Sequence, residues 1–200
     1  RLLLLPGPKA DVSCGIAIGH CHAPLQMLVA EAQAAEHDAK ETYGRSAFAF
    51  RVYKRSGEIL KWGSKWELAG GSEDGGAEEA EMVSPVKLYR LYQRLGAKGP
   101  KGEAGVLSSR FPYALAQLLA PYRLEDKDTE GCFDPVSVVR AEFRHVCTRQ
   151  ANPARKKELG TFPEYAERYI HALAAARRPL WDFLGLFLTA AFVERERGEE

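Results

Sequence analysis

The sequence predicts an α+β chain in which a strand, a helix and a β-hairpin precede a bundle of helices. Three observations predict it. Val12 to Gly19 is an unbroken apolar and small-residue run, Ser46 to Lys54 alternates, and the later segments repeat apolar residues at three- and four-residue steps. Between the two patterns, residues 67–81 carry six acids, four glycines and no bases, too little apolar surface to order themselves. The expected organisation is therefore a strand-helix-hairpin part over residues 1–66, a flexible linker over 67–81 and a helical domain over 82–200.

Val12 to Gly19 shows little alternation, the pattern of a strand buried on both faces, and is expected at the centre of a sheet. Pro24 suits the first turn of a helix. Leu25, Leu28, Val29, Ala32, Ala35, Ala39 and Tyr43 then form its apolar stripe until Gly44 stops it. In the next strand Phe48, Phe50 and Val52 oppose Ala47, Ala49 and Arg51, and Arg55-Ser56-Gly57 turns the chain into Glu58 to Trp66. After the linker, Ser84-Pro85 opens a helix with Leu88, Leu91, Tyr92 and Leu95, closed by Gly96. Ser108 or Ser109 precedes a second, built on Phe111, Leu115, Leu118, Leu119 and Tyr122. Asp134-Pro135 caps a third with Val136, Val139, Phe143 and Val146. Thr161 caps a fourth with Phe162, Tyr165, Tyr169 and Leu173, and Pro179 begins the last, with Phe183, Leu184, Phe187 and Phe192. These form a small bundle, and no repeat of fixed period runs through the chain.

The 200 residues are 46% hydrophobic and carry a net charge of +1, so bulk charge points to no particular partner. Leu2 to Leu5, closed by Pro6-Gly7-Pro8, is far too short for a membrane span or a signal sequence, and a cytoplasmic protein is expected. Opening on Arg1 rather than methionine, the chain is expected to be a processed piece of something longer. Cys14, Cys21, Cys132 and Cys147 have no C-x-x-C pair, so they read as reduced, mostly buried thiols.

The chemistry-bearing run is Ser13-x-Gly15-Ile16-Ala17 on a strand, Ala39-Lys40 on a helix and Gly44-Arg45-Ser46-Ala47 entering another strand. Lys40 projects from the flank of the helix's apolar face, and Arg45 lies just past its end. The two cations could converge on one polyphosphate. Taken alone, the pair of cations is better read as Lys40 pairing with Glu36 one turn earlier and Arg45 being solvated. The order and spacing of the run resemble the end of GGDEF-type cyclase domains. Gly19-His20, Pro24-Leu25, Ala47-Phe48-Ala49, Lys54-Arg55-Ser56-Gly57-Glu58, Ser108-Ser109-Arg110-Phe111-Pro112-Tyr113 and Phe192-Val193-Glu194-Arg195-Glu196-Arg197-Gly198 narrow the likeness. Together they resemble the C-terminal portion of the large subunit of type III-B CRISPR RNA-targeting complexes.

That resemblance implies a partial ferredoxin-like, GGDEF-like palm followed by a C-terminal helical domain. It implies a role in antiviral defence, with CRISPR RNA, target RNA and the other effector subunits as partners through the assembly. In the family, ATP is converted to cyclic oligoadenylates by two metal ions, magnesium or manganese, held on a Gly-Gly-Asp-Asp hairpin. By matching position, Lys40 would contact ATP phosphates, Ser13 and Gly15 would line the pocket, and Arg45 would add a second cation. Cys14 stands where the family usually has alanine or glycine.

No such acidic hairpin is present in the chain. Gly70-Gly71-Ser72-Glu73-Asp74 superficially resembles it but lies in the linker with no flanking apolar strands, and metal catalysis needs rigidly held carboxylates. No catalytic residue and no metal ligand is assigned, and the chain alone is not expected to polymerise ATP. His20-Cys21-His22 is set aside as a metal site because alternate side chains of a strand point to opposite faces. His20 is instead expected to end its strand near the nucleotide pocket. Arg140 and Arg144 share one helix face, with Arg149, Arg155, Lys156 and Lys157 beyond, and could follow an RNA backbone or simply be solvated. The rival to nucleotide binding is a purely structural module that docks other subunits.

Overall fold

A computed structural model of the chain describes residues 11–54, 56–70, 82–96, 104–122 and 136–197. It is a mixed α+β protein with one three-stranded sheet, one two-stranded sheet and six α-helices among the described residues. The chain divides into two compact units, one ending at Trp66 and the other beginning at Glu67.

The first unit contains β1 (Cys14–Ile18), α1 (Leu25–Glu41), β2 (Ala47–Tyr53) and β3 (Ile59–Lys65), a strand, a helix and a hairpin. β1 pairs parallel with β2, with Cys14 beside Phe48 and Ile18 beside Val52. β2 pairs antiparallel with β3, from Ala47 beside Lys65 to Tyr53 beside Ile59. The hairpin turns on Gly57 at φ 83°, where Gly57 N–H donates to the Lys54 carbonyl at 3.0 Å. The sheet order β1-β2-β3 puts β1 at an edge among the described residues, not at the centre. Its missing alternation has a local cause: small Gly15 and Ala17 occupy one face and Cys14, Ile16 and Ile18 the other, so the whole run is apolar.

α1 lies very close to the sheet. A β-carbon on Gly15 would fall inside contact distance of the Ala32 carbonyl oxygen and the Glu36 amide, and 2.7 Å from Glu36 Cα. Gly63 makes similar room for Tyr43, whose ring would stand 2.6 Å from a β-carbon there. Ala35, Ala39, Ala47 and Ala49 fill the interface between them. Polar clamps complete it, since Arg51 on β2 donates at 2.7 Å to Glu31 and at 2.7 Å to Asp38 of α1. The expected apolar stripe holds only over the second half of the helix. Leu25 and Val29 are exposed, because the first turns run past the sheet beyond Gly19, which Leu28 covers.

The second unit begins with a two-stranded ribbon, β4 (Leu68–Ala69) paired with β5 (Met82–Val83). Leu68 and Ala69, expected in the linker, are thus a strand, while residues 71–81 lie outside those described. Five helices follow: α2 (Pro85–Gly96), α3 (Phe111–Leu119), α4 (Val136–Gln150), α5 (Phe162–Ala175) and α6 (Leu180–Arg197). Their stripes meet in an aromatic core of Tyr92, Phe111, Phe143, Phe162, Phe183 and Phe187, with Phe183 and Phe187 edge-to-face at 5.2 Å. Each fully buried Phe here stabilises by roughly 1.5–3 kcal/mol.

The caps differ in part from expectation. Thr161 makes no side-chain cap, and Asp134-Pro135 lies outside the described residues. Ser84 is instead fixed through its backbone, with its N–H donating to the Tyr165 hydroxyl at 2.8 Å. A short 3₁₀ segment, Pro153–Leu159, was not expected, and its cap is the Asn152 side chain, which accepts from Ala154 N–H at 3.1 Å. Of the cysteines, Cys147 is buried, Cys14 half-buried and Cys21 exposed, so burial is not their common state. Cys132 lies outside the described residues.

Candidate phosphate-binding site

The topology of the first unit decides which residues can act together. Because β1 and β2 are parallel, Ser13 before β1, Arg45 before β2 and the C-terminal turn of α1 all fall at one end of the sheet. The chain reaches that end by an unusual turn. Gly44, Arg45 and Ser46 have φ of 73°, 59° and 47°, three successive left-handed residues of which only the first is glycine. Arg45 N–H donates to both the Ala39 and the Lys40 carbonyls at 3.2 Å, tying the turn onto the helix end. The exposed Arg45 side chain starts one hydrogen bond away from the Lys40 backbone.

A third cation joins them. Lys65, which pairs with Ala47, runs beside Gly44, and a β-carbon on Gly44 would lie 3.9 Å from its Nζ. Sequence reasoning missed Lys65. Only the hairpin register brings it to Gly44, although the length of the two strands around Gly57 would have allowed it to be counted there.

The other expected pocket residues are more committed. Lys40 forms an ion pair with Glu36, with side chains 41% and 39% exposed. Such an exposed pair is worth about 0.3–0.5 kcal/mol, little enough for a polyphosphate to displace. Gly15 allows a close approach, but the group that approaches is the backbone of α1. Ser13 is half-buried at the strand entrance.

His20 lies two residues past the opposite end of β1, a strand that itself spans about 13 Å at roughly 3.3 Å per residue. The topology thus separates it from Lys40, Arg45 and Lys65, correcting its expected place beside the pocket.

In the helical unit, Arg140 is part-buried, whereas the Arg144 side chain stays 63% exposed. Both pair with Glu167 of α5, Arg140 Nη2 at 3.2 Å and Arg144 Nη2 at 2.6 Å, with Arg144 Nε as a further donor. Glu167 is only 5% exposed. Burial raises its pKa, and the hydrogen bonds from Arg144 and Arg140 more than reverse this, leaving it below the ordinary carboxylate value. Two cations of the expected RNA face thus also serve as the counter-charge for a buried acid. Elsewhere in the helical unit, the Ser108-Ser109-Arg110 motif borders a cavity of about 580 Å³, where Gln93 Nε2 donates to Glu194 at 2.8 Å.

Compared with protein-family models, curated proteins and solved structures, the chain matches none. No helix among the described residues is long and apolar enough to cross a membrane.

Proposed function

We propose that the chain is the C-terminal part of a type III-B CRISPR effector large subunit and supplies phosphate contacts to an ATP-binding, cyclase-like palm. The convergence of Lys40, Arg45 and Lys65 at one end of the strand-helix-hairpin carries the reading. Three cations around a left-handed turn suit a triphosphate, which spreads its charge over several oxygens. Ser13 offers a hydroxyl at the same end. CRISPR RNA, target RNA and the other subunits would be met through the assembly, to which the helical domain contributes surface.

The donors at this end do not fit a two-metal centre. Among the described residues, Glu36 is engaged by Lys40 while Asp11 and Glu41 stand exposed, so no fixed carboxylate pair is available there for magnesium or manganese. We therefore assign no metal-dependent step to these residues, and oligoadenylate synthesis would need carboxylates from elsewhere.

A structural docking module is the second reading. It is favoured by the Lys40–Glu36 pair and by the pairing of Arg140 and Arg144 with the buried Glu167. Calorimetric titration of ATP into the chain separates the two. Under the first reading Lys40→Ala and Lys65→Ala each weaken binding by about fivefold, equivalent to about 1 kcal/mol, while Lys54→Ala at the far end of the hairpin does not. ATP binding that ignores Lys40 and Lys65, or none at all, leaves the docking module.

A further inference from the structure

The turn from β1 into α1 brings together a group that a strand would have kept apart. β1 stops at Ile18, and Ala23 N–H donates to the His20 carbonyl at 2.8 Å, closing a turn over His20-Cys21-His22-Ala23. Strand alternation therefore no longer applies to these residues. One ligand atom from each of His20, Cys21 and His22 lies within 4.8 Å of the others. Cys21 Sγ stands 3.8 Å from His20 Nδ1, and the two imidazole rings are 5.0 Å apart. Cys21 and His22 are exposed, so their side chains are free to rotate inward, and Leu28 of α1 packs against Gly19 at the base of the turn.

From these positions we infer that His20, Cys21 and His22 form a surface site for a single zinc-class divalent cation. The donor chemistry is selective. Two imidazoles and a thiolate suit zinc at about 2.0–2.1 Å and 2.3 Å, whereas magnesium and calcium require oxygen donors that the turn lacks. Tetrahedral bonds of those lengths place neighbouring donors about 3.4–3.6 Å apart, so the sulfur is already within a few tenths of an ångström of its bound distance from His20. His20 Nδ1 accepts from the His22 N–H at 3.1 Å. The lone pair the metal takes is the one this hydrogen bond now engages, so loading exchanges one exposed hydrogen bond for a coordinate bond. With three protein donors, the fourth position is left to water or an external ligand. The site is at the far end of β1 from Lys40, and it stands or falls independently of ATP binding.

Cobalt(II) serves as the spectroscopic probe, titrated into the untagged, reduced chain and then displaced by zinc. The expected result is one cobalt per chain, with tetrahedral ligand-field bands and a thiolate-to-cobalt charge-transfer band, both lost on adding zinc. Cys21→Ser abolishes the charge-transfer band, and His20→Ala and His22→Ala each weaken cobalt binding by at least about tenfold. Cys147→Ser, in the buried helical core, leaves the spectrum unchanged. A charge-transfer band that survives Cys21→Ser overturns the assignment. So does an octahedral spectrum without thiolate, or a stoichiometry of one cobalt per two chains.

Discussion

Arg45 and Ser46 are held in a conformation that costs a residue with a β-carbon about 1–2 kcal/mol each, and nothing in their burial requires it. The strain is tolerated because Arg45 N–H is fixed on the end of α1 and the Ser46 carbonyl accepts from Trp66 N–H at 3.1 Å. A glycine at position 45 would relieve the strain, so keeping a cation there sets charge against stability. Arg45→Gly is expected to stabilise the fold by up to about 1 kcal/mol, after the extra freedom of the unfolded chain is deducted, while weakening ATP binding. Urea denaturation and ATP titration on the same variant check both halves. A loss of stability would show that the arginine side chain itself holds the turn. Arg45 could be singled out from sequence because it stands next to Gly44. Lys65 is harder to find, because its neighbour in space is far away in the chain and only counting the hairpin register around Gly57 brings it there.

At the scale of elements, the polar contact between α4 and α5 at Glu167 is the least legible. Helical periodicity finds a stripe such as Leu88, Tyr92 and Leu95 because its members are near one another in sequence. It cannot find Glu167, an acid set among Tyr165, Ala166, Tyr169 and Ile170 on the buried side of α5, whose partners lie on another helix. It likewise overextends α1, where the close contact is made by alanines and Gly15 rather than by the larger Leu25 and Val29. Glu167 also makes the α4–α5 contact sensitive to acid. Its carboxyl is held below the ordinary value of 4.5, so its stabilisation is complete above that value and is lost as pH falls through the lower folded-state value. Glu167→Gln is expected to cost about 2–3 kcal/mol at neutral pH, with the deficit shrinking at about pH 3. Urea midpoints at the two pH values measure this, and an unchanged deficit would mean that Glu167 is not titrating against the arginines.

Over the whole molecule, the two units are built on different economies of packing. Beneath α1 the first unit buries alanines and glycines, which gain contact by close approach but remove little apolar area from water. Its larger buried groups, Phe48, Val52, Leu60 and Trp62, lie on β2 and β3. The helical unit instead buries a continuous aromatic cluster to which α2, α3, α4, α5 and α6 all contribute. Opening α1 from the sheet therefore exposes less apolar surface than opening any helix of the bundle. Native-state hydrogen exchange should show α1 and β1 opening at lower free energy than the segments around Phe111, Phe143, Phe162 and Phe187, with a shallower dependence on urea. Equal opening free energies and equal urea slopes throughout would mean that the chain unfolds as one cooperative body. A low opening energy at α1 would also place Lys40 and Glu36 on the most easily displaced helix, where a bound polyphosphate should slow exchange first.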